Sequence, residues 1–151
     1  MDKRAGILGW SAVCLIGVIA TLHALATAYE WYYRIWWFDI PMHMAGGAWV
    51  AIWFAYDMVH RRRWIDGRRS LPFFALGLGA VALIGVLWEL YELFLDLVVF
   101  RSYAIFAAPG YLYFDTLGDL FNDLAGGFVV LVATRHFFFR KTAPADASVG
   151  R

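Results

Sequence analysis

Residues 71–100 read LPFFALGLGAVALIGVLWELYELFLDLVVF, thirty residues that include three acidic side chains and no basic one. A membrane-spanning helix needs about 20 mainly apolar residues, so this stretch is long enough to cross a bilayer with tilt or to extend beyond it. Three other apolar stretches have a comparable length, at about residues 6–28, 41–60 and 117–139. The sequence therefore predicts an all-α integral membrane protein, a four-transmembrane-helix bundle that forms one domain over residues 1–141.

The composition argues against most soluble classes of protein. Of the 151 residues, 62% are hydrophobic and 17% are charged. A typical soluble domain has about 45–50% apolar residues and about 25% charged residues. A soluble chain of this length has too little interior to bury so much apolar surface. Disorder, a soluble nucleic-acid binder and a disulfide-stapled secreted domain are disfavoured, since Cys14 alone cannot form an internal bridge. Residues 142–151 are small and polar and are predicted to form a flexible tail.

The basic residues predict the orientation of the four spans. Eleven of the 13 lysines and arginines fall on one side of the predicted bundle, and only Arg34 and Arg101 fall on the other. Because cytoplasmic loops carry an excess of lysine and arginine, both termini are predicted to be cytoplasmic. The aromatic stretch 31–38 is predicted to lie in the membrane interface. An alternative stays open for the first span, whose apolar run and Ala26-Thr27-Ala28 sequence are also typical of a cleavable signal peptide.

The acidic residues concentrate on the opposite side of the predicted bundle. Eight of the 12 fall in its outer loops, in the outer halves of its spans or near the midplane, and helical spacing places two sets of three on single helix faces. Ionisable groups inside a bilayer are costly and usually face the bundle interior or a water-filled cavity. The sequence therefore predicts one polar pocket, to which His23 and His43 also point. The eight acids are Glu30, Asp39, Glu89, Glu92, Asp96, Asp115, Asp119 and Asp123.

This predicted pocket favours a divalent cation. Two arginines cannot neutralise eight acids, so protonation, a bound metal ion or both must do so. Carboxylates combined with one or two imidazoles suit Mg²⁺, Mn²⁺, Fe²⁺ or Zn²⁺. His43 and Glu89 are the candidate catalytic residues. The candidate metal ligands are Glu89, Glu92, Asp119, Asp123 and His43, and the candidate headgroup or supporting residues are Asp39, Asp115, Asp96, His23, Arg34 and Arg101.

Structural alternatives remain for two of these side chains. His43 would form a hydrogen bond with Asp39 or Asp119 across helices in a purely structural role, and Asp115 would serve as the N-cap of the fourth span. The glycine pair at residues 46–47 and the pair at residues 126–127 are predicted to pack the second and fourth spans closely, because small residues let membrane helices approach each other.

Three motifs in order resemble a known membrane family. Residues 39–47 read DIPMHMAGG and resemble an Asp-x-x-x-His-x-x-x-Gly signature, and residues 88–92 read WELYE and resemble Trp-Glu-x-x-Glu. Residues 115–126 read DTLGDLFNDLAG and resemble an Asp-Thr-x-x-Asp-x-x-x-Asp signature. Together they are similar to the YjdF-type bacterial inner-membrane family and, more distantly, to VanZ-like proteins. The resemblance implies a multi-pass protein of the bacterial inner membrane and implies no activity.

Three classes of function fit these observations. The first is a metal-dependent membrane enzyme that acts on a lipid or a lipid-linked phosphate at the outer leaflet. The second is a module for cation or proton transport or sensing, because intramembrane carboxylates and histidines often mark such paths. The third is a structural or partner-binding protein in which the cluster only locks the helices together. Membrane lipids are the expected partners, a homo-oligomer is compatible with each class, and no nucleic acid is expected.

Overall fold

The computed structural model of this chain describes residues 3–99 and 109–139, which are helical over most of their length and contain no strand. The end of the predicted third span, at residue 100, and the predicted tail at 142–151 lie outside the described residues. The helices are α1 (Lys3–Ala28), α2 (Trp31–Arg34), α3 (Asp39–Phe54), α4 (Ser70–Phe94) and α5 (Pro109–Thr134). Three of them continue as π-helical turns, α3 into Ala55–Arg61, α4 into Leu95–Val99 and α5 into Arg135–Phe139.

Three of the helical segments are long and apolar enough to cross a membrane. They are Ala5–Ala28, Ser70–Val99 and Leu112–Phe139, with 24, 30 and 28 residues. The predicted second span corresponds to α3 and its π-helical continuation, but its α-helical part has only 16 residues. The structure thus confirms an all-α protein with three candidate spans. α3 itself is shorter than the predicted second span because residues 55–61 form a π-helix instead of an α-helix.

The observed helix starts differ from the predicted ones in an informative way. α3 begins at Asp39 and has Pro41 in its first turn, where proline is well tolerated. α5 begins at Pro109, eight residues before the predicted start at residue 117. Asp115 therefore lies in the second turn of α5, and its interpretation as an N-cap is wrong. The aromatic residues between 111 and 114 extend the helix where the sequence had predicted a loop.

α3 is the central helix of the bundle. It packs against α1, α4 and α5, and its most extensive contact is with α5. α5 packs in turn against α4, whereas α1 is held mainly by α3 and its π-helical continuation. The indole N–H of Trp49 donates a hydrogen bond of 3.1 Å to the Ala12 carbonyl and so ties α1 to α3. The buried apolar core contains Leu8, Val50, Ala51, Phe54, Ala55, Phe73, Val81 and Leu131.

The backbones of α3 and α5 touch where glycines remove the side chains between them. A Cβ atom added to Gly47 would overlap the backbone carbonyl of Asp123, and one added to Gly126 would overlap the backbone carbonyl of Met44. A Cβ on Gly127 would lie 2.7 Å from a methyl group of Val81 on α4. These contacts confirm the predicted close packing of the two glycine pairs, and they place the N-terminal half of α3 directly against α5.

The two ends of the bundle differ in charge. The acidic end, which is formed by the C-terminal parts of α1 and α4 and the N-terminal halves of α3 and α5, carries the predicted pocket. The opposite, basic end carries Arg61, the loop at 62–69 and Arg135. At the basic end, the buried carboxylate of Asp57 accepts hydrogen bonds from Arg61 at 3.0 Å and Arg62 at 2.6 Å. The one buried acid described at that end is thus neutralised by its own helix and the following residue.

We predict that the substitution Gly47→Ala destabilises the protein. The added methyl group must push α3 away from α5, and overpacking of this kind costs about 1–3 kcal/mol. The matched control is Gly79→Ala, because nothing lies within 4 Å of a Cβ at that position and alanine favours a helix over glycine by up to about 1 kcal/mol. Thermal unfolding in detergent measures both variants. If Gly47→Ala proved as stable as Gly79→Ala, the two backbones would not be in contact.

Candidate functional site

His43 lies at the centre of the acidic end and is surrounded by carboxylates. Its side chain is 4% exposed, and Nε2 lies 3.5 Å from Oδ1 of Asp39 and 3.8 Å from Oδ1 of Asp119. On the other side of the ring, Nδ1 lies 3.6 Å from Oδ2 of Asp123. These separations exceed the usual 2.7–3.2 Å of a hydrogen bond. The two separations from Nε2 match the spacing of about 3–4 Å between two donor atoms that bind one metal ion at about 2.0–2.2 Å each.

The crossing of α3 and α5 explains why Asp123 is so close to the imidazole. Asp123 is 6% exposed, and its carboxylate lies between α3 and α4 against two glycines. A Cβ on Gly85 of α4 would lie 2.7 Å from Oδ2, and one on Gly46 of α3 would lie 3.5 Å from Oδ1. Glycine on both neighbouring helices therefore makes room for a carboxylate at this depth, and Asp119 lies one turn earlier on the same face of α5.

α4 contributes the second part of the site. One carboxylate oxygen of Glu89, one of Glu92 and one ring nitrogen of His43 all lie within 4.8 Å of one another and form one group. Asp39, His43 and Asp119 form a second such group, so that the two groups share one imidazole. Oε1 of Glu89 is buried and has no hydrogen-bond partner. A buried carboxylate oxygen without a partner is uncommon, and a cation bound between the two groups would satisfy it.

The donor set can therefore hold a divalent cation. Carboxylate oxygens dominate it and one imidazole nitrogen completes it, a combination that suits Mg²⁺, Mn²⁺, Fe²⁺ or Zn²⁺. Of the five predicted metal ligands, four occur in the two groups, and Asp123 contacts the imidazole from the opposite side. Asp39, which the sequence placed among the supporting residues, belongs to one of the groups.

Other candidate residues lie outside the two groups. Asp115 is exposed but lies near enough to interact electrostatically with Asp39 and His43, and Asp96 is half-buried. Arg34 is exposed and forms an ion pair of 2.9 Å with Glu30, four residues earlier in the chain. Arg34 and Glu30 thus neutralise each other locally, and neither needs a lipid headgroup as a partner. Arg101 lies outside the described residues.

Tyr32 is a residue of the site that the sequence did not indicate, because it lies among the aromatic residues interpreted as interfacial. Its hydroxyl lies 2.8 Å from Nδ1 of His23. Burial, and to a lesser degree the carboxylates of Asp39 and Glu92, raises the pKa of the Tyr32 phenol to about 12. The phenol therefore keeps its proton at neutral pH and can donate it in a hydrogen bond to His23.

A cavity of about 160 Å³ extends from the site into the apolar part of the bundle. At its polar end it is lined by His23, Tyr32, Asp39, His43, Glu92 and Asp123. The rest of its wall is apolar and comes from α1, α3 and α4, with Ile16, Ile19, Val50, Val81, Ile84 and Trp88. Trp88, whose ring packs against His23, thus also borders the cavity. The candidate cation site and an apolar cavity share one wall.

Comparisons with known proteins identify a family and no activity. The family described as "Predicted membrane protein (DUF2238)" matches residues 3–140, nearly the whole chain. Neither the curated proteins nor the solved structures provide a match.

The raised pKa of Tyr32 predicts a pH dependence of stability. The unfolded phenol has its ordinary pKa of 10.0, whereas the folded one has a pKa of about 12. The folded state therefore binds this proton more tightly. The protonated phenol stabilises the fold below pH 10.0, and this stabilisation is lost as the pH rises toward about 12. Tyr32→Phe should reduce the fall in thermal midpoint over this pH range, and Tyr33→Phe, at a side chain 89% exposed, should leave it unchanged. An equal fall in the wild type and in Tyr32→Phe would contradict this assignment.

Proposed function

Because the chain belongs to the DUF2238 family of predicted membrane proteins, we propose that its site binds a divalent cation within the membrane and acts on the phosphate of a lipid or a lipid-linked compound. The observation that carries this proposal is the buried imidazole of His43 among carboxylates from α3, α4 and α5. A divalent cation offers two positive charges, whereas the described side chains direct at most the single charge of a protonated His43 toward these carboxylates.

Repulsion among the carboxylates favours a bound cation over a purely structural role for the cluster. Carboxylates close together repel each other, and a membrane interior does not screen them as water does. At the basic end, by contrast, Asp57 has two arginine partners. A structural role would be served by the same local pairing, whereas the buried Oε1 of Glu89 has no partner. The chain thus carries a cluster that a bound cation stabilises and that helix packing alone does not require.

We assign the side chains roles from their positions around the ring of His43. Nε2 faces Asp39 and Asp119, which are proposed to bind the cation together with Glu89 and Glu92. Nδ1 faces Asp123, which would accept the N–H of a ligating imidazole and so fix its orientation, as carboxylates behind metal-bound histidines commonly do. A bound cation polarises phosphate oxygens and neutralises their charge. The proposal thus treats Asp123 as a positioning residue, while the sequence had suggested a ligand.

The proposed placement in the membrane follows from the charge of the two ends. α3 and its π-helical continuation together cover residues 39–61, and 23 helical residues would extend about 34 Å, close to the bilayer core of about 30 Å. With this segment as a fourth span, both termini would lie on the side of the basic end. That side is proposed to be cytoplasmic. The acidic end would then face the outer leaflet of a bacterial inner membrane, in line with the YjdF-type resemblance.

Cation or proton transport is the weaker alternative. A path across the membrane needs polar groups that continue from the acidic end toward the basic end. Between His43 and Asp57, the described interior consists of apolar side chains such as Val50, Phe54 and Leu131. Nothing in the described part of the chain therefore favours a continuous path, and measurements of ion flux across vesicles would test the alternative directly.

The proposal predicts that the purified protein binds a divalent cation that stabilises it. Addition of Mn²⁺ or Zn²⁺ should raise the thermal midpoint, because a ligand at 100 times its dissociation constant stabilises a protein by about 2.7 kcal/mol. Asp119→Asn and Glu92→Gln should abolish this shift and the bound metal found by elemental analysis. Glu30→Gln is the matched control, since it removes an exposed acid at the same end. If the wild type held no metal and its midpoint did not respond to Mg²⁺, Mn²⁺, Fe²⁺ or Zn²⁺, the proposal would be refuted.

The role of Asp123 gives a second prediction. Asp123→Asn should weaken the metal affinity by about 10- to 100-fold and preserve the stoichiometry, because the change removes an orienting carboxylate and leaves the ligands. His43→Ala should remove a ligand and lower the stoichiometry itself. Metal titration followed by thermal unfolding and elemental analysis separates the two cases. Loss of stoichiometric metal in Asp123→Asn would instead identify Asp123 as a ligand.

The enzymatic half of the proposal has its own test. The protein is reconstituted in vesicles that contain phosphatidic acid, with and without the stabilising cation, and the lipids are analysed by mass spectrometry. A change in the headgroup that requires both the cation and Glu89 is expected, so Glu89→Gln should be inactive and Glu30→Gln active. The same assay is repeated with a polyprenyl phosphate. Cation binding without a change in either headgroup would exclude an enzymatic role and leave a binding or sensing role.

A further inference from the structure

The bundle is open on one side, between α1 and α4. α1 packs against α3 and its continuation, α4 packs against α3 and α5, and α1 and α4 hardly contact each other. Their ring contact lies at the acidic end, where His23 of α1 and Trp88 of α4 meet edge to face with centroids 5.9 Å apart. Below this contact, a gap between the two helices leads to the cavity beside the cation site.

The cavity reaches the lipid-facing surface through this gap. Ile16 on α1 is 38% exposed and Ile84 on α4 is 44% exposed, although both line the cavity. Side chains that border a cavity and the outer surface at once mark its mouth. Val50 of α3, which is buried, forms part of the floor. The opening is therefore lateral, between two helices that are each long and apolar enough to cross a membrane.

The cavity changes from polar to apolar along its length. Its lining on α4 runs from Glu92 to Val81, a distance of about 16 Å along a helix. Glu92 belongs to the candidate cation site, whereas Val81 and Ile84 offer only hydrocarbon. Apolar walls that open into a bilayer exclude water and accept acyl chains. The polar end can receive an anionic headgroup only through a bound cation, because Asp39, Glu92 and Asp123 line it.

We propose that this cavity binds one acyl chain of a membrane lipid that has a phosphate-bearing headgroup, and that the chain enters sideways from the bilayer between α1 and α4. The headgroup then lies at the cation site, so that this half of the inference rests on the proposed function. The acyl chain never has to cross water, because the mouth opens where the lipid tails already are. At about 160 Å³, the cavity is too small for a whole lipid, so part of one acyl chain enters and the rest of the lipid stays outside.

His23, Trp88 and Tyr32 form part of the cavity wall at its polar end. The Tyr32 hydroxyl is hydrogen-bonded to His23 at 2.8 Å, and His23 packs on Trp88 across the two helices. These contacts connect α2 to α1 and α1 to α4 above the mouth. The lipid tail accordingly enters below this aromatic bridge, and the bridge separates the tail from the interfacial loop that carries the exposed side chains of Tyr33 and Trp36.

The test uses photocrosslinking in nanodiscs. The full chain is reconstituted with phosphatidic acid that carries a diazirine in the middle of one acyl chain, and crosslinked peptides are mapped by mass spectrometry. Crosslinks are expected at Ile16 and at Val81 or Ile84. Ile84→Trp should fill the mouth and abolish the crosslink at Ile16. Leu83→Trp is the matched control, since Leu83 is the preceding residue of α4, is 61% exposed and does not line the cavity.

Two results would overturn the proposal. One is uniform crosslinking, with Leu83 and Leu76 labelled as strongly as Ile16, which indicates ordinary solvation by lipid. The other is an unchanged crosslink at Ile16 in Ile84→Trp. Ile16→Trp repeats the test from α1, and its thermal midpoint together with that of Ile84→Trp shows whether each variant is folded.

A second comparison separates this proposal from the proposed function. Asp119→Asn, which removes a proposed metal ligand, should retain the acyl-chain crosslink at Ile16. In the wild type, the cation should increase crosslinking by phosphatidic acid relative to a diacylglycerol with the same diazirine, and Asp119→Asn should abolish that increase. A crosslink at Ile16 with no effect of cation would support the acyl-chain site and refute the cation site. Cation binding without the crosslink would do the reverse.

Discussion

The contact between the backbones of α3 and α5 is the constraint on which the acidic end depends. Gly47 faces the carbonyl of Asp123 and Gly126 faces the carbonyl of Met44, so a side chain at either glycine would separate the two helices. At the distance that the glycines allow, His43 of α3 lies among the acids of α5. The charges therefore meet because packing brings their helices together, even though their mutual repulsion opposes that approach.

The two ends of the bundle balance charge in different ways. At the basic end, a single buried acid, Asp57, is held by two arginines that follow it closely in the chain. At the acidic end, carboxylates from three helices surround one imidazole, and the nearby Arg34 is paired with Glu30 on the surface. This contrast supports the inference that the missing positive charge at the acidic end comes from a ligand.

The candidate cation site and the apolar cavity share lining residues, so a single ligand could occupy both. A polar end that suits a divalent cation and a hydrocarbon-lined end that opens toward the bilayer together fit the two halves of a phosphate-bearing lipid. Such a site requires neither a large domain nor a loop above the membrane. It requires one helix, α1, that packs against the centre of the bundle and stays apart from α4.

The local features of this protein follow from the order of its amino acids alone. Apolar length predicted the helices, and helical spacing placed Glu89 with Glu92 and Asp119 with Asp123 on single faces, because both properties depend on neighbouring residues in the chain. The tertiary structure establishes which of these faces meet. It paired His43 with Asp39, separated Arg34 from the site, moved Tyr32 into it and left α1 apart from α4. Those relations depend on how closely distant helices approach, and van der Waals contact at a few glycines decides that distance in ways that hydropathy and periodicity do not report.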